Sequence, residues 1–153
     1  MDQSPIELRA ARPEDFDRLL AIDRAAFPPE LAYSRRELAA WMGGRGCRTL
    51  VAEDAEGIVG FVVACLGRRG DAHLVTLDVA PGRQRGGIGG RLLAAAEEWL
   101  WGAGAAAIAL ETPAGEGGAR AFYERHGYSA VRRLPRYYRR GRDAWLMVKA
   151  RPM

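Results

Sequence analysis

The sequence predicts an α/β fold: one mixed, mostly antiparallel sheet with a central parallel strand pair, flanked by about four helices. Three observations predict it. A strand–helix–strand pattern over 72–112 demands a right-handed crossover between parallel strands. "RTLVAED" (48–54) and "IVGFVVACL" (58–66) meet at Glu56-Gly57, a hairpin signal. Two last strands, roughly 128–138 and 143–149, flank a turn at "RRGRD". With 153 residues, 48% of them hydrophobic, the chain suits one globular domain over 1–153.

The elements follow in order. "IELRAA" (6–11) alternates like a strand. Pro13 suits the first helical position, with Glu14 and Asp15 favourable in the first turn. Phe16, Leu19, Leu20, Ala26 and Phe27 carry that helix's apolar face to "PPE", where it stops. Ser34 caps a second helix, with Glu37 completing a capping box. After the hairpin, "AHLVTLDVA" (72–80) is a strand ending at Pro81. Ile88, Leu92, Ala96, Trp99 and Leu100 share one helical face, and "AAIALET" (106–112) is the next strand. Ala119, Phe122, Tyr123 and His126 share a face of the last helix, which Gly127 ends.

Composition narrows the function. The first thirty residues lack the apolar core of a secretory signal, and "WLWGAGAAAIAL" is far short of the ~20 residues of a membrane span. Cys47 and Cys65 lack C-x-x-C spacing and a nearby histidine, so buried reduced thiols and a cytoplasmic location are expected. With His73 and His126 far apart, no metal site is expected. The net charge of +4 invites a nucleic-acid partner, yet only Lys149 of the 23 basic residues is lysine. That arginine bias runs the whole chain, so it does not mark a dedicated patch.

The chemistry centres on "PGRQRGGIGGRLL" (81–93), five glycines running into an apolar helix. A Walker A loop fails because no Lys-Ser/Thr follows Gly87. A dinucleotide fingerprint fails at Leu92, where its third glycine belongs. What remains is Gln84-x-x-Gly87-x-Gly89, whose amides and helix N-terminus cradle one pyrophosphate beside Arg83, Arg85 and Arg91.

At these residues the chain resembles the GCN5-related N-acetyltransferase (GNAT) superfamily, whose acetyl-coenzyme A motif reads Q/R-x-x-G-x-G/A after a strand ending in apolar-x-Val. "LETPAGEGGARAFYERHGY" is similar to a segment of ribosomal-protein-alanine acetyltransferases, and "PRYYRRGRDAWLM" to the last hairpin of protein N-terminal acetyltransferases. The resemblance covers nearly the whole chain and implies a GNAT-like fold with acetyl-CoA as co-substrate. It implies coenzyme contacts at Leu77, Asp78 and Val79, through backbone groups, and at Gln84, Arg85, Gly86, Gly87, Ile88, Gly89 and Gly90. Glu116 stands where the family has a coenzyme-binding Asn, and an ionised glutamate cannot donate.

The resemblance further implies direct attack by an amine on the thioester. Glu111, at a strand end, would be the base, and Tyr123 the acid that protonates the leaving sulfur. By pattern alone Glu111 is a solvated strand-end residue and Tyr123 a packed core tyrosine. A covalent route through Cys47 or Cys65 lacks an adjacent base. Glu30 and Tyr33, in "FPPELAYS" (27–34), with Tyr137 and Tyr138, would flank the acceptor, a protein or peptide N-terminal α-amine. The alternative acceptor is a small-molecule amine or lysine. From another class, "RRLPRYYRRGR" (132–142) interleaves arginine with tyrosine as nucleic-acid-binding modules do, but such a module has no use for the glycine motif. Arg136, Arg139, Arg140 and Arg142 make the hairpin tip cationic, which would favour acidic peptides.

Overall fold

A computed structural model describes residues 5–115 and 117–153. Seven strands form one sheet in the order β1-β2-β3-β4-β5-β7-β6. They are β1 (Glu7–Ala10), β2 (Cys47–Asp54), β3 (Gly57–Leu66), β4 (Asp71–Val79), β5 (Ala107–Pro113), β6 (Ser129–Leu134) and β7 (Ala144–Ala150). Four helices flank it: α1 (Phe16–Ala26), α2 (Arg35–Met42), α3 (Ile88–Gly102) and α4 (Gly117–Arg125). Only β4 and β5 pair in parallel, as the crossover through α3 requires.

Local chemistry sets the boundaries. Pro13–Asp15 form a 3₁₀ turn ahead of α1, and the Asp15 carboxylate accepts the Arg12 N–H at 2.7 Å. The Arg9 guanidinium on β1 holds that carboxylate below its usual range. Ser34 caps α2 through the reciprocal box with Glu37, at 3.1 and 2.8 Å. The sixth strand is shorter than the sequence suggests, ending at Leu134 rather than near 138. Pro135 has no N–H for the ladder, Arg136 turns left-handed with φ 51°, and its N–H bonds the Asp143 carboxylate at 2.9 Å.

Two apolar layers sandwich the sheet. Leu92, Leu93 and Leu100 of α3 pack with Ile108 and Met147 on one face. Leu19, Ile22 and Leu38 of α1 and α2 pack with Val51 and Phe61 on the other. Gly60 lets these layers close: a Cβ there would lie 2.8 Å from the Asp78 carbonyl and 3.2 Å from Leu92 Cδ1.

Two features of β4 create a cleft. Its ladder with β5 spans only Asp71–His73 against Ala107–Ala109, so Leu74–Val79 and Leu110–Pro113 face each other with free backbone edges. Across β3 the register slips between Val63 and Ala64, leaving Val75 as an extra residue. Such a bulge inverts which side chains face which layer. Leu74 therefore belongs to the α3 side, and Val75 and Ala80 to the α1 side.

The thiols differ from expectation. Cys47 and Cys65 lie directly opposite in the β2–β3 register, with Cα atoms 3.9 Å apart, and are joined in a disulfide. The expectation of reduced buried thiols is corrected, and the compartment argument built on it goes with them. No described helix is long and apolar enough to cross a membrane.

Candidate active site

Glu111 points from β5 into the cleft, where its Oε1 lies 2.8 Å from His73 Nε2 on β4. A carboxylate only accepts, so this bond places the ring proton on Nε2. The sequence places no partner near His73. Its partner lies 38 residues away, and only the parallel β4–β5 pairing brings the two together. The Trp41 ring meets the imidazole edge-on at 5.7 Å. A surface cavity of about 460 Å³ opens beyond it, lined by Trp41, Arg45, the Cys47–Cys65 bridge, Asp71 and His73.

Tyr137 and Tyr138, stacked edge-to-face at 5.0 Å, face the same carboxylate from the turn before β7. Burial and then the Glu111 charge push the Tyr137 phenol upward; burial dominates for Tyr138, followed by Tyr137 and Glu111. Tyr123 sits on α4, ringed by Phe122 and Tyr128. Its phenol is pushed well up by burial, then by Asp78 and Tyr138. Tyr138 thus acts electrostatically on Tyr123, as Glu111 does on Tyr138.

The opposite wall is the loop between α1 and α2. The Tyr33 hydroxyl donates at 3.2 Å to the carbonyl of the bulged Val75. Glu30 lies 3.8 Å from Arg142. Arg139 donates to the Ala32 carbonyl at 2.8 Å and forms an ion pair with Glu37, tying the turn before β7 to this loop. A second cavity, of about 370 Å³, lies among Phe27, Pro29, Tyr33, Ser34 and Arg139. Arg139 is therefore a structural tie rather than the free cation expected from sequence, and Arg133 is paired with Asp143 at 2.9 Å.

The glycine loop joins β4 to α3. Gly87 is left-handed with φ 85° and precedes the helix, whose Arg91 N–H bonds the Gly87 carbonyl at 3.1 Å. The amides of that first turn have no earlier helical carbonyl to meet. No atom lies within 4 Å of a Cβ built on Gly82 or Gly87, so the loop is an open, positively polarised cradle. Gly89 and Gly90 serve differently, for their Cβ positions face Phe122 of α4 and His126 just past its end at 3.5 Å. Gln84 Nε2 donates to the Val79 carbonyl at 3.1 Å. Arg83 is bound to Asp54 at 2.6 Å, while Arg85 takes φ 67° at the exposed loop crest. Ile88 is buried, anchoring α3 to the sheet. Leu77, Asp78 and Val79 lie on the free edge of β4, an open ladder for an extended arm. Glu116 lies outside the described residues. Among the described residues, no group of three or more His, Cys, Asp or Glu could hold a metal ion.

Comparison with known proteins gives the family and the fold. Residues 16–128 match the acetyltransferase (GNAT) family. An uncharacterised N-acetyltransferase of Methanocaldococcus jannaschii is 33% identical over 146 residues, covering 95% of this chain and 92% of that protein. The crystal structure of Ard1 from Thermoplasma volcanium shares the fold with a TM-score of 0.87 at 21% identity, covering 97% of this chain and 99% of that one. A ribosomal-protein-alanine N-acetyltransferase from Brucella melitensis gives a TM-score of 0.80 at 25% identity, covering 95% and 99%.

Proposed function

The chain belongs to the acetyltransferase (GNAT) family, and from that premise we propose that it acetylates the α-amine of a protein or peptide N-terminus. The observation that carries this reading is the Tyr137–Tyr138 pair acting on Glu111 of β5, the strand whose edge toward β4 is free beyond Ala109. The carboxylate meets an amine there, while the phenols offer hydrogen bonds to a peptide backbone. A relative that acts on ribosomal-protein alanine supports the same acceptor class.

Acetyl-CoA supplies the thioester, and the glycine cradle and free β4 edge fit its pyrophosphate and extended arm. An α-amine, with an ordinary pKa of about 8, arrives mostly as ammonium at neutral pH. Glu111 takes that proton, and His73 Nε2–H keeps the carboxylate aimed. The amine nitrogen then bonds the acetyl carbon as the carbon–sulfur bond breaks. Tyr123, kept protonated by its burial, gives its hydroxyl proton to the departing sulfur and is reprotonated by the second proton that the nitrogen sheds on becoming an amide.

Incubating the protein with acetyl-CoA and a library of free-N-terminal and N-blocked, lysine-containing peptides tests the acceptor. Mass spectrometry should find acetyl groups on α-amines, with blocked peptides unmodified. Transfer only to lysine side chains or small amines would overturn the assignment. The cradle has its own test. Gly87→Ala forces a side chain into a left-handed position that faces open space, so the fold should survive. Calorimetry should show acetyl-CoA affinity reduced at least about tenfold, equivalent to ~1.4 kcal/mol. Unchanged affinity would remove the loop from the coenzyme site.

A further inference from the structure

Behind the cleft lie two carboxyl groups that the reaction does not use. Asp23 of α1 and Asp78 of β4 are each only 1% exposed. The bulge at Val75 is what turns Asp78 toward α1. Asp23 Oδ2 accepts the Tyr33 N–H at 2.7 Å, and Asp78 Oδ1 accepts the Thr76 hydroxyl at 2.5 Å. The remaining oxygens, Asp23 Oδ1 and Asp78 Oδ2, are buried and receive no donor among the described residues. After burial, Asp23 is the neighbour that acts most on Asp78. Two orphan acceptors on neighbouring buried acids have one economical resolution, a proton between them. Two ionised carboxylates in a site this dry would repel each other and forgo solvation.

We propose that Asp23 and Asp78 share a single proton, Asp78 Oδ2–H donating to Asp23 Oδ1, and act as positioning residues that clamp the acceptor loop to the coenzyme strand. Tyr33 is then tied to β4 at both ends. Its N–H is held through the acid pair, and its hydroxyl by the Val75 carbonyl. Burial, then the neighbouring Asp23, holds the Asp78 carboxyl well above the usual carboxylate range. The other titratable groups acting on the pair are Tyr33 from the loop and Tyr123 from α4. Burial pushes both phenols upward, so they stay neutral while Asp78 titrates. The clamp is closed while the proton is held. Once it leaves, repulsion pushes α1 and Tyr33 off β4.

The sign of the pH dependence follows. Native Asp78 keeps a proton that the unfolded chain releases near pH 4. Stability from the pair is therefore greatest in acid and is lost as pH rises toward the native value, by up to about tenfold in the unfolding constant per pH unit. In Asp23→Asn the amide donates to an ionised Asp78 and no proton is needed; Asp78→Asn serves as the second variant should the first fail to fold. Infrared difference spectra recorded above the ordinary carboxylate range should show a protonated carboxylic acid in the wild type that is lost in either variant. Denaturant melts across pH should show the tenfold slope in the wild type relative to the variant. The acceptor KM should rise in the wild type across the pH at which the infrared band disappears, without that rise in Asp23→Asn. Absence of the band, or identical stability slopes, would overturn the shared proton. A band with a flat KM would overturn the positioning role. That last role rests on reading residues 27–34 as the acceptor wall. The infrared and stability measurements need no acceptor, so they stand or fall apart from the peptide assignment.

Discussion

Replacing Glu111 with glutamine is expected to lower kcat/KM for a peptide acceptor by about 10²–10⁴-fold at neutral pH, the range typical of a lost general base. The amide fills the same space and still accepts from His73 Nε2–H, so the fold and the β4–β5 contact persist. What disappears is the capacity to take a proton. The defect should therefore shrink as pH rises past about 8, where the α-amine arrives already neutral. Initial rates from pH 6 to 10 for both proteins measure this directly. His73→Gln, which keeps a donor but places it differently against the carboxylate, should show a smaller loss. Matching rates for Glu111→Gln and wild type at every pH would leave Glu111 a strand-end residue with no part in the chemistry.

Tyr123→Phe is expected to lower kcat by a comparable ~10²–10⁴-fold, but with a different signature. The ring contacts with Phe122 and Tyr128 remain, so the melting temperature and acetyl-CoA affinity should stay near wild type. Burial keeps the wild-type phenol protonated throughout the assay range. The defect should accordingly be flat with pH, in contrast to that of Glu111→Gln. An acetyl donor whose thiol is more acidic needs less help in leaving and should restore part of the rate. A full wild-type rate with acetyl-CoA would make Tyr123 a packing residue.

Much of this site was legible because its signals are local. Five glycines before an apolar helix, a capping box at Ser34 and Glu37, and a hairpin at Glu56-Gly57 each sit within a few residues of one another. What escaped depends on register. Counting back from the turn pair Asp54–Gly57 in regular register sets Cys47 opposite Ala64, on the wrong face for a bridge. The bulge between Ala52 and Glu53 slips the strand by one residue and brings Cys65 into line. The same holds for Asp78. Regular alternation along β4 would turn it to the α3 side with Leu74, and only the bulge at Val75 turns it toward Asp23. His73 was invisible for want of its partner. Arg139 read as free charge because Glu37 and Ala32 lie about a hundred residues earlier in the chain.

The sheet order bears on how the protein is made. β7 is synthesised after the other six strands, yet it lies between β5 and β6 and pairs with β5 from Ala107 to Pro113. Before it emerges, the strand carrying Glu111 is held only by three residue pairs to β4, and β6 has no neighbour. A nascent chain on the ribosome therefore exposes two unsatisfied strand edges, a state prone to mispairing. Both edges are closed at once when residues 144–150 dock between them.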